Sequence, residues 1–252
     1  MKIISFSLWG DQPKYNVGAI KNAKLARELF PDWTCRFYVG ESVPKETIRA
    51  IADVDKTYLW YMDEVPKEPS HVMYSGTLNS PIQIFIKSTP GDWRMMLDRF
   101  SPVGEADVDV MISRDCDSRL SIREKLAVDE WLESPHGFHT MHDHPHHSVP
   151  ILGGMFGIKK GLFSELARHA IEWGKSHESR WQIDQDFLTD IVWPVVQNDT
   201  MNHDEFFRHL WGGRPFSSQR LGLEFVGATY DANDCIDQSQ MSELAKYIRK
   251  NI

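Results

Sequence analysis

The sequence predicts an α/β fold, a three-layer α/β/α sandwich with a mostly parallel central sheet. Through the first half of the chain, short apolar segments rich in strand-forming residues alternate with amphipathic helical segments, the order typical of βαβ units. One apolar segment, Val108–Ser113, ends abruptly at two aspartates, Asp115 and Asp117. The 252 residues contain no Ser/Gly linker, repeat or low-complexity tract, so we expect a single domain over residues 1–252.

Individual elements follow from apolar spacing and from the residues that begin and end helices. Asn16 is a suitable N-cap for a helix that Pro31 ends, and Pro44 suits the first turn of the next helix. The predicted order is a strand over Lys2–Leu8, a helix over Val17–Phe30, a strand over Arg36–Val39, a helix from Pro44 to about Ala52, and a strand over Thr57–Met62. This is the order of a parallel βαβαβ unit.

The second half is predicted from the same signals. Ser121-Ile-Arg-Glu124 is a capping box that opens a helix to about Leu132, and Pro194 is expected to end a helix that begins at Ile183. The other predicted elements are helices over Trp93–Phe100 and Phe163–Gly174, strands over Val108–Ser113, Phe138–Met141 and Ile151–Ile158, an irregular segment from Asn198 to Phe225, and a terminal helix over Ser242–Ile252.

Composition argues against several classes of protein. The net charge of −8 and the lack of a basic stripe argue against nucleic-acid binding. Three scattered cysteines, Cys35, Cys116 and Cys235, form neither a disulfide framework nor a CxxC metal site, which fits a reducing compartment. The N-terminus begins like a strand rather than a signal peptide, and no apolar run reaches transmembrane length. We therefore expect a cytoplasmic protein without a transmembrane segment.

The Asp115–Asp117 pair is the strongest candidate for a functional site. Residues two apart in extended backbone point to the same side, so both carboxylates can meet just beyond the strand end, where open α/β sheets bind ligands. Such oxygen ligands suit Mg²⁺ or Mn²⁺, and that ion suits a diphosphate. Three other Asp-x-Asp pairs occur, at residues 53/55, 107/109 and 184/186, but only this one directly follows a buried-looking strand and precedes a helix start. The alternative is a solvated acidic loop that caps the next helix.

Two further groups of residues would lie near a nucleotide in such a fold. The loop after the first strand, with Ser7, Leu8 and Tyr15, sits where base and ribose would lie. Tyr15 either stacks on the base or only packs on the loop. Four arginines lie near the aspartates in sequence: Arg94, Arg99, Arg114 and Arg119. One or two of them, with Arg94 as the candidate, are expected to contact phosphates or orient the aspartates, and the others to form surface ion pairs.

Residues 136–147 hold six of the eleven histidines. Imidazole is a good zinc ligand, but the segment has no matching cysteine and no helical HExxH. Histidine also hydrogen-bonds sugar hydroxyls, so the preferred interpretation is that His144 and His147 line a substrate pocket. A structural zinc site and a loop without a functional role are the two alternatives.

Glycines, acidic residues and late histidines complete the candidate set. Gly153 and Gly154 interrupt an apolar run, which indicates close backbone approach by a ligand. Asp184-Gln185-Asp186 begins a helix, where the helix dipole alone favours acidic residues. The functional interpretation places a carboxylate and an amide at a reacting sugar. His203 and His209 lie in the late irregular segment, where a neutral imidazole can complete the metal site of the aspartates.

This motif order, spread over residues 1–226, resembles the GT-A-fold glycosyltransferases, the nucleotide-diphospho-sugar transferase type. It is most similar to the glycogenin-like family 8 enzymes, whose Asp-Gln-Asp helix is matched by Asp184-Gln-Asp-Phe-Leu188. Their late motif reads His-x-x-Gly-x-x-Lys-Pro-Trp. Here His209-Leu-Trp-Gly-Gly-Arg-Pro-Phe216 is one residue shorter, with Arg for Lys and Phe for Trp. The chain also resembles small glycosyltransferase-like proteins of bacteria and large DNA viruses.

The resemblance implies a metal-dependent glycosyltransferase that moves a sugar from a nucleotide-sugar, UDP-sugar rather than GDP-sugar, to a glycan acceptor. Residues 1–120 would form the nucleotide-binding half and residues 121–252 the acceptor and sugar half. Asp115 and Asp117 would hold Mn²⁺ or Mg²⁺, with Asp115 also at the ribose, and His209 or His203 would be the third protein ligand. The residues implied to contact the donor sugar are Gly153, Gly154, Asp184 and Gln185.

The resemblance also frames the choice of catalytic residues and the rival functions. In an inverting enzyme, Asp186 or a histidine of residues 136–147 would be the base; in a retaining enzyme, which family 8 favours, Asp184 would steady an oxocarbenium-like state. One rival function is an Asp-dependent phosphotransferase or phosphatase. Its Asp-x-Asp usually follows the first strand, whereas here the pair begins at Asp115. The other rival is a non-catalytic carbohydrate- or metal-binding module.

Overall fold

A computed structural model describes residues 1–55, 72–73 and 80–250. In this part of the chain the centre is an eight-stranded sheet in the order β3-β4-β2-β1-β5-β7-β6-β8. Its strands are β1 (Lys2–Leu8), β2 (Thr34–Gly40), β3 (Val72–Met73), β4 (Ile82–Lys87), β5 (Val110–Arg114), β6 (Phe138–His142), β7 (Met155–Lys159) and β8 (Thr200–Asp204). β3 and β7 are antiparallel to their neighbours, and the other six strands share one direction. The prediction of a mostly parallel α/β sheet is confirmed.

Helices cover both faces of the sheet. They are α1 (Pro13–Leu29), α2 (Lys45–Asp53), a 3-10 helix (Trp93–Phe100), α3 (Ile122–Glu133), α4 (Leu166–Ser176), α5 (Ile183–Phe187), α6 (Trp193–Val196), α7 (Arg208–Trp211) and α8 (Gln238–Lys250). Apolar residues of α1, α2 and α3 pack on one face. Those of the 3-10 helix, α4 and α5 pack on the other, which completes the three predicted layers. No helix among the described residues has the length and apolar character that a bilayer crossing requires.

The period-two alternation of β1 explains how one strand serves both apolar layers. Ile4 and Phe6 belong to the cluster under α1, whereas Ile3 belongs to the cluster on the opposite face. Phe6 stacks on Phe37 of β2 with ring centroids 5.0 Å apart. A buried aromatic side chain of this size contributes about 1.5–3 kcal/mol relative to an exposed one.

Two strands differ from the predictions. The predicted strand Thr57–Met62 lies outside the described residues. β2 has two parallel neighbours, β1 and β4, and the apolar pattern did not single out β4. β8 lies within the segment predicted to be irregular. Its sequence, Thr-Met-Asn-His-Asp, lacks an apolar alternation, because its buried side chains Asn202, His203 and Asp204 are polar groups with polar partners.

The predicted end of a helix at Pro194 is wrong. Helical turns run from α5 through a π-helical turn, Leu188–Val192, into α6. Pro194 is the second residue of α6, at a position where a helix needs no backbone N–H donor. The π-helical turn shifts the backbone hydrogen-bond register of the helix just before the proline. This shift explains why the helix tolerates the proline ring.

The capping box that opens α3 is confirmed. Ser121 Oγ accepts a hydrogen bond from the backbone N–H of Glu124 at 3.2 Å. The side chain of Glu124 is buried and pairs with Arg114 at the end of β5. α3 is therefore tied both at its cap and to the last residue of the strand that carries the aspartate pair.

Candidate active site at the carboxyl edge of the sheet

Strand direction brings most of the predicted site residues to one edge of the sheet. The loop Asp115–Asp117 follows the carboxyl end of β5, and Leu8 ends the parallel neighbour β1. β7 runs antiparallel to β5, with Arg114 opposite Met155, so Gly153 and Gly154 precede β7 at this same edge. The topology therefore places the aspartate pair and the two glycines side by side, as the topology of open α/β sheets predicts.

Arg99 of the 3-10 helix links two of the predicted carboxylates. Its Nη2 donates to Asp184 Oδ2 at 2.7 Å, and its Nη1 contacts Asp115 Oδ1 and donates to the carbonyl of Arg114 at 3.3 Å. The Arg99 side chain is only 5% exposed. Burial raises the pKa of Asp184 above its usual value, and Arg99 opposes that shift. A fixed guanidinium thus orders the two carboxylates, although the sequence had favoured Arg94.

The two glycines are required by this cluster. A Cβ on Gly154 would lie 2.0 Å from Asp115 Oδ2, and one on Gly153 would lie 2.5 Å from both Arg99 Nη2 and Asp184 Oδ2. The Gly153 carbonyl also accepts a hydrogen bond from Ser113 Oγ at 2.6 Å. The groups that approach the glycine backbone are thus side chains of the protein itself.

Asp117 is paired with a lysine from α1. Lys14 Nζ lies 2.9 Å from Asp117 Oδ2 and 4.4 Å from the ring centroid of Tyr15. Burial, and then the charge of Asp115, raise the pKa of Asp117, and Lys14 opposes them. The pKa of Tyr15 is raised by burial and then by Asp117. Tyr15 therefore lies within electrostatic range of the aspartate pair.

Sequence reasoning missed the residues of α1 that hold the aspartate loop. Asn22, fully buried, donates from Nδ2 to the carbonyl of Ser118 at 2.9 Å and accepts from the N–H of Leu120 at 3.0 Å. A Cβ on Gly18 would lie 1.8 Å from the carbonyl oxygen of Cys116. The available signal was a glycine inside a helix, which is unfavourable unless another group must approach closely.

Other predicted residues of the nucleotide and sugar sites have different environments. Leu8 is buried in the apolar core, and Arg94 pairs with Asp92 and with the carbonyl of His177. The buried Ser7 Oγ has no hydrogen-bond partner among the described residues. Gln185 Nε2 donates to the carbonyl of Ile151, and the half-exposed Asp186 pairs with Arg180.

The two histidines predicted to line a substrate pocket make contacts within the protein. His144 Nε2 donates to the carbonyl of Gln240 in α8 at 2.9 Å, and its ring packs on Phe225. His147 Nδ1 accepts from the N–H of Asp143 at 3.1 Å. Burial lowers the pKa of both imidazoles. The structure shows them joining the histidine segment to the C-terminal part of the chain.

The two late histidines are not brought to the aspartate pair. His203 is buried in β8, where it bonds His139 at 2.8 Å and Glu130 at 3.2 Å. β8 is three strands along from β5, about 14 Å at the usual strand spacing. His209 is exposed on α7. Within the described ranges, no three His, Cys, Asp or Glu side chains form a group that could hold a metal ion.

Comparison with known proteins gives similarities of overall fold. No family model matches the chain, and no curated protein matches it. One similar solved structure is a glycosyltransferase involved in the glycosylation of the major capsid of PBCV-1, with 12% identity, a TM-score of 0.47, and coverage of 81% of each chain. Another is the galactosyltransferase LgtC in complex with donor and acceptor sugar analogues, with 14% identity, a TM-score of 0.43, and coverage of 81% of this chain and 73% of that one.

Proposed function

We propose that this chain is a glycosyltransferase that moves a sugar from a nucleotide-sugar, UDP-sugar rather than GDP-sugar, to a glycan acceptor with the help of Mg²⁺ or Mn²⁺. The observation that carries the proposal is the cluster at the carboxyl edge of the sheet. Asp115, Asp184 and Arg99 meet there against the backbone of Gly153 and Gly154. Open α/β sheets bind their ligands at this edge.

The aspartate pair fits a divalent ion with few protein ligands. Asp115 and Asp117 supply two hard oxygen donors, and the ammonium of Lys14 already occupies a cation position on Asp117. Mg²⁺ commonly takes one or two carboxylates and completes its octahedron with water and phosphate oxygens. Two protein ligands are therefore a sufficient set when a diphosphate is bound. When bound, the ion would stabilise the negative charge that builds on the departing nucleoside diphosphate.

Asp184 and Arg99 suit the sugar end of the donor. Asp184 is buried and held by Arg99, so its carboxylate has a fixed direction beside the aspartate pair. In the proposed reaction this carboxylate steadies the positive charge that develops at the anomeric carbon, while Arg99 keeps it in place. Gln185 lies on the same turn and donates from Nε2 to the carbonyl of Ile151, so we assign its side-chain oxygen to a sugar hydroxyl.

Proton transfer suits Asp186 better than Asp184. Asp186 is 37% exposed and pairs with Arg180, which precedes the same helix. In an inverting reaction Asp186 would accept the proton of the acceptor hydroxyl. In a retaining reaction, which the sequence resemblance favours, the acceptor proton passes to the leaving group and Asp186 is dispensable. The anomeric configuration of the product, inverted or retained, therefore decides whether Asp186 is the base.

The test is calorimetric titration of UDP and of GDP into the protein with MnCl₂ and then with EDTA. We expect UDP to bind with Mn²⁺ and to lose most of its affinity in EDTA and in Asp117→Ala. A matched control is Asp107→Ala, because Asp107 is exposed in an Asp-x-Asp pair that precedes the same strand at its opposite end. The control should bind UDP as the parent does.

Three outcomes would contradict the proposal. Failure of both nucleotides to bind a folded protein in the presence of Mn²⁺ would remove the donor site. Hydrolysis of a generic phosphate ester that is lost in Asp115→Asn would assign a phosphatase instead. Sugar binding with no nucleotide requirement would assign a carbohydrate-binding module.

A further inference from the structure

Two different cations neutralise the aspartate pair, and they differ in how firmly they are held. Arg99 is 5% exposed and has three acceptors, Asp115, Asp184 and the Arg114 carbonyl. Lys14 is 36% exposed, and its ammonium contacts one carboxylate, Asp117. A guanidinium with several buried acceptors cannot leave without exposing unpaired carboxylates, whereas a lysine on a flexible four-carbon stem can.

Asp117 needs a positive charge beside it, which comes either from a bound metal ion or, when none is bound, from a side chain. Its side chain is only 15% exposed, and it shares the loop with a second carboxylate, Asp115. Two like charges at close range in a partly desolvated site repel each other unless a cation lies between or beside them. Lys14 supplies that charge from the first turn of α1.

A divalent ion on Asp117 and the ammonium of Lys14 compete for the same carboxylate. A metal–oxygen bond of about 2.1 Å needs a lone pair of the carboxylate, and the ammonium donates a hydrogen bond to one on Oδ2. A positive charge within about 4 Å of a divalent ion also repels it. Asp237, just before α8, is a second carboxylate within electrostatic range of Lys14.

We propose that Lys14 is a displaceable counter-ion that occupies the divalent-cation position on Asp117 and thereby sets the affinity of the site for metal. This inference rests on the metal site of the proposed function. It gives the two carboxylate ligands a counter-charge whenever no ion is bound, and no third such ligand lies beside them among the described residues. Lys14 is a positioning residue here and does not touch the reacting atoms.

The test is calorimetric titration of MnCl₂, without nucleotide, into the parent, Lys14→Met and Lys24→Met. Lys24 is exposed on the same helix, so its substitution removes the same charge away from Asp117. We expect Lys14→Met to bind Mn²⁺ about tenfold more tightly than the parent, because the competing charge is gone. Lys24→Met should change the affinity by less than about twofold.

Two further variants locate the effect and guard against misfolding. Asp117→Asn should abolish Mn²⁺ binding in the parent and in Lys14→Met alike, which places the ion on the aspartate. Lys14→Arg keeps the charge beside Asp117 and should bind Mn²⁺ no more tightly than the parent. Thermal melts in EDTA should show Lys14→Met folded but less stable than the parent, with added MnCl₂ reversing the difference.

Failure of this inference and failure of the proposed function give different results. If the parent and Lys14→Met bind Mn²⁺ equally at Asp117, the counter-ion role is overturned and the metal-dependent transferase stands. If neither binds Mn²⁺, the metal part of the proposed function is overturned as well, and UDP titration of the same samples shows whether a donor site remains. If only Lys14→Met binds Mn²⁺, the ion does not displace Lys14 in the parent, and both the displaceable counter-ion and the metal dependence of the parent are overturned.

Discussion

At the scale of single residues, the site depends on two glycines, because charged side chains occupy the space that a Cβ would fill. Asp115 Oδ2 lies where a Cβ of residue 154 would be, and Asp184 and Arg99 lie where a Cβ of residue 153 would be. Glycine is needed here for space, because neither residue has the positive φ that would require glycine for backbone conformation. The two glycines therefore allow the carboxylates to approach the backbone this closely.

We predict that Gly154→Ala disrupts the site more than the fold. The new methyl group would overlap Asp115 Oδ2 and come within 3.0 Å of its backbone nitrogen, so the loop must shift. Overpacking of this kind lowers the stability of a fold by about 1–3 kcal/mol. Because the shift falls on the proposed metal ligand Asp115, we expect a separate, roughly tenfold loss of UDP affinity with Mn²⁺. Calorimetry with UDP and urea denaturation measure the two effects.

Gly174→Ala is the matched control, since Gly174 lies in α4 and its Cβ would meet only the flexible tip of Leu97, at 3.2 Å. We expect this control to keep the UDP affinity of the parent. Equal UDP affinity in Gly154→Ala and the parent would show that the contact between Gly154 and Asp115 does not shape the donor site.

The residues of the cluster differ in how visible they are in the sequence. Asp115 and Asp117 stand out in the sequence because an apolar strand directly precedes them. The strand ends at Arg114 and a turn follows, so strand alternation does not set their directions. Asp115 pairs with Arg99, whereas Asp117 pairs with Lys14. Arg99 could not be separated from Arg94, because helical spacing alone does not show which of two arginines meets a carboxylate that is remote in sequence. The pairing of Lys14 with Asp117 spans 103 residues and depends on the packing of α1.

At the scale of elements, α1 determines the shape of the aspartate loop. Asn22 bonds the backbone of Ser118 and Leu120, and Gly18 allows the carbonyl of Cys116 to touch the helix. Lys14, one turn before Gly18, reaches Asp117. Three positions on one helix therefore support the loop that would hold metal and diphosphate.

We predict that Asn22→Ala destabilises the protein by about 1–3 kcal/mol, because it leaves a buried carbonyl and a buried N–H without their side-chain partner. Urea denaturation followed by circular dichroism measures the change. Lys24→Ala, an exposed substitution two residues further along α1, should stay within about 0.5 kcal/mol of the parent. A stability loss no larger than that of Lys24→Ala would mean that water replaces the Asn22 bonds at no cost.

Elements with a regular apolar spacing were predictable, whereas an element whose buried side chains are polar was missed. β1, β2, β5 and β6 occupy nearly the predicted residues, since each presents apolar side chains to the core. α1 begins at Pro13, one turn before its predicted start, and its N-cap is Gln12 rather than Asn16. β8 was missed because Asn202, His203 and Asp204 are buried through hydrogen bonds with other polar groups, a pattern that resembles a loop in sequence. The helix was predicted to end at Pro194 for a related reason, because the π-helical turn that accommodates the proline has no local sequence signature.

At the scale of the whole molecule, buried histidines give the second half of the chain a shared sensitivity to acid. His139, His142, His144, His147 and His203 are all buried, and burial is the largest cause of the lowered pKa of each. They connect β6, β8 and the C-terminal segment through hydrogen bonds in which imidazole nitrogens accept or donate as neutral rings. Unfolding exposes all five to water, where they take up protons more readily.

The sign of the pH dependence follows from these lowered pKa values. An imidazole whose folded pKa lies below its ordinary value of 6.5 binds fewer protons in the folded protein than in the unfolded chain. Its contribution to stability is complete above pH 6.5 and is lost as the pH falls through the folded pKa. The buried carboxyl groups Glu124 and Asp184 have raised pKa values and give the opposite slope, so comparison of variants isolates the histidine contribution.

We predict that His147→Asn weakens the loss of stability between pH 6.5 and pH 5. An Asn side-chain oxygen can still accept the N–H of Asp143, but it has no proton to gain on unfolding. Removing one such histidine reduces the slope of unfolding free energy against pH by up to about 1.4 kcal/mol per pH unit. His146→Asn, on an exposed neighbour in the same segment, should leave the slope of the parent unchanged. Urea denaturation at several pH values measures the unfolding free energy of each protein. If the parent and His147→Asn give the same slope of unfolding free energy against pH, the fold does not hold His147 neutral.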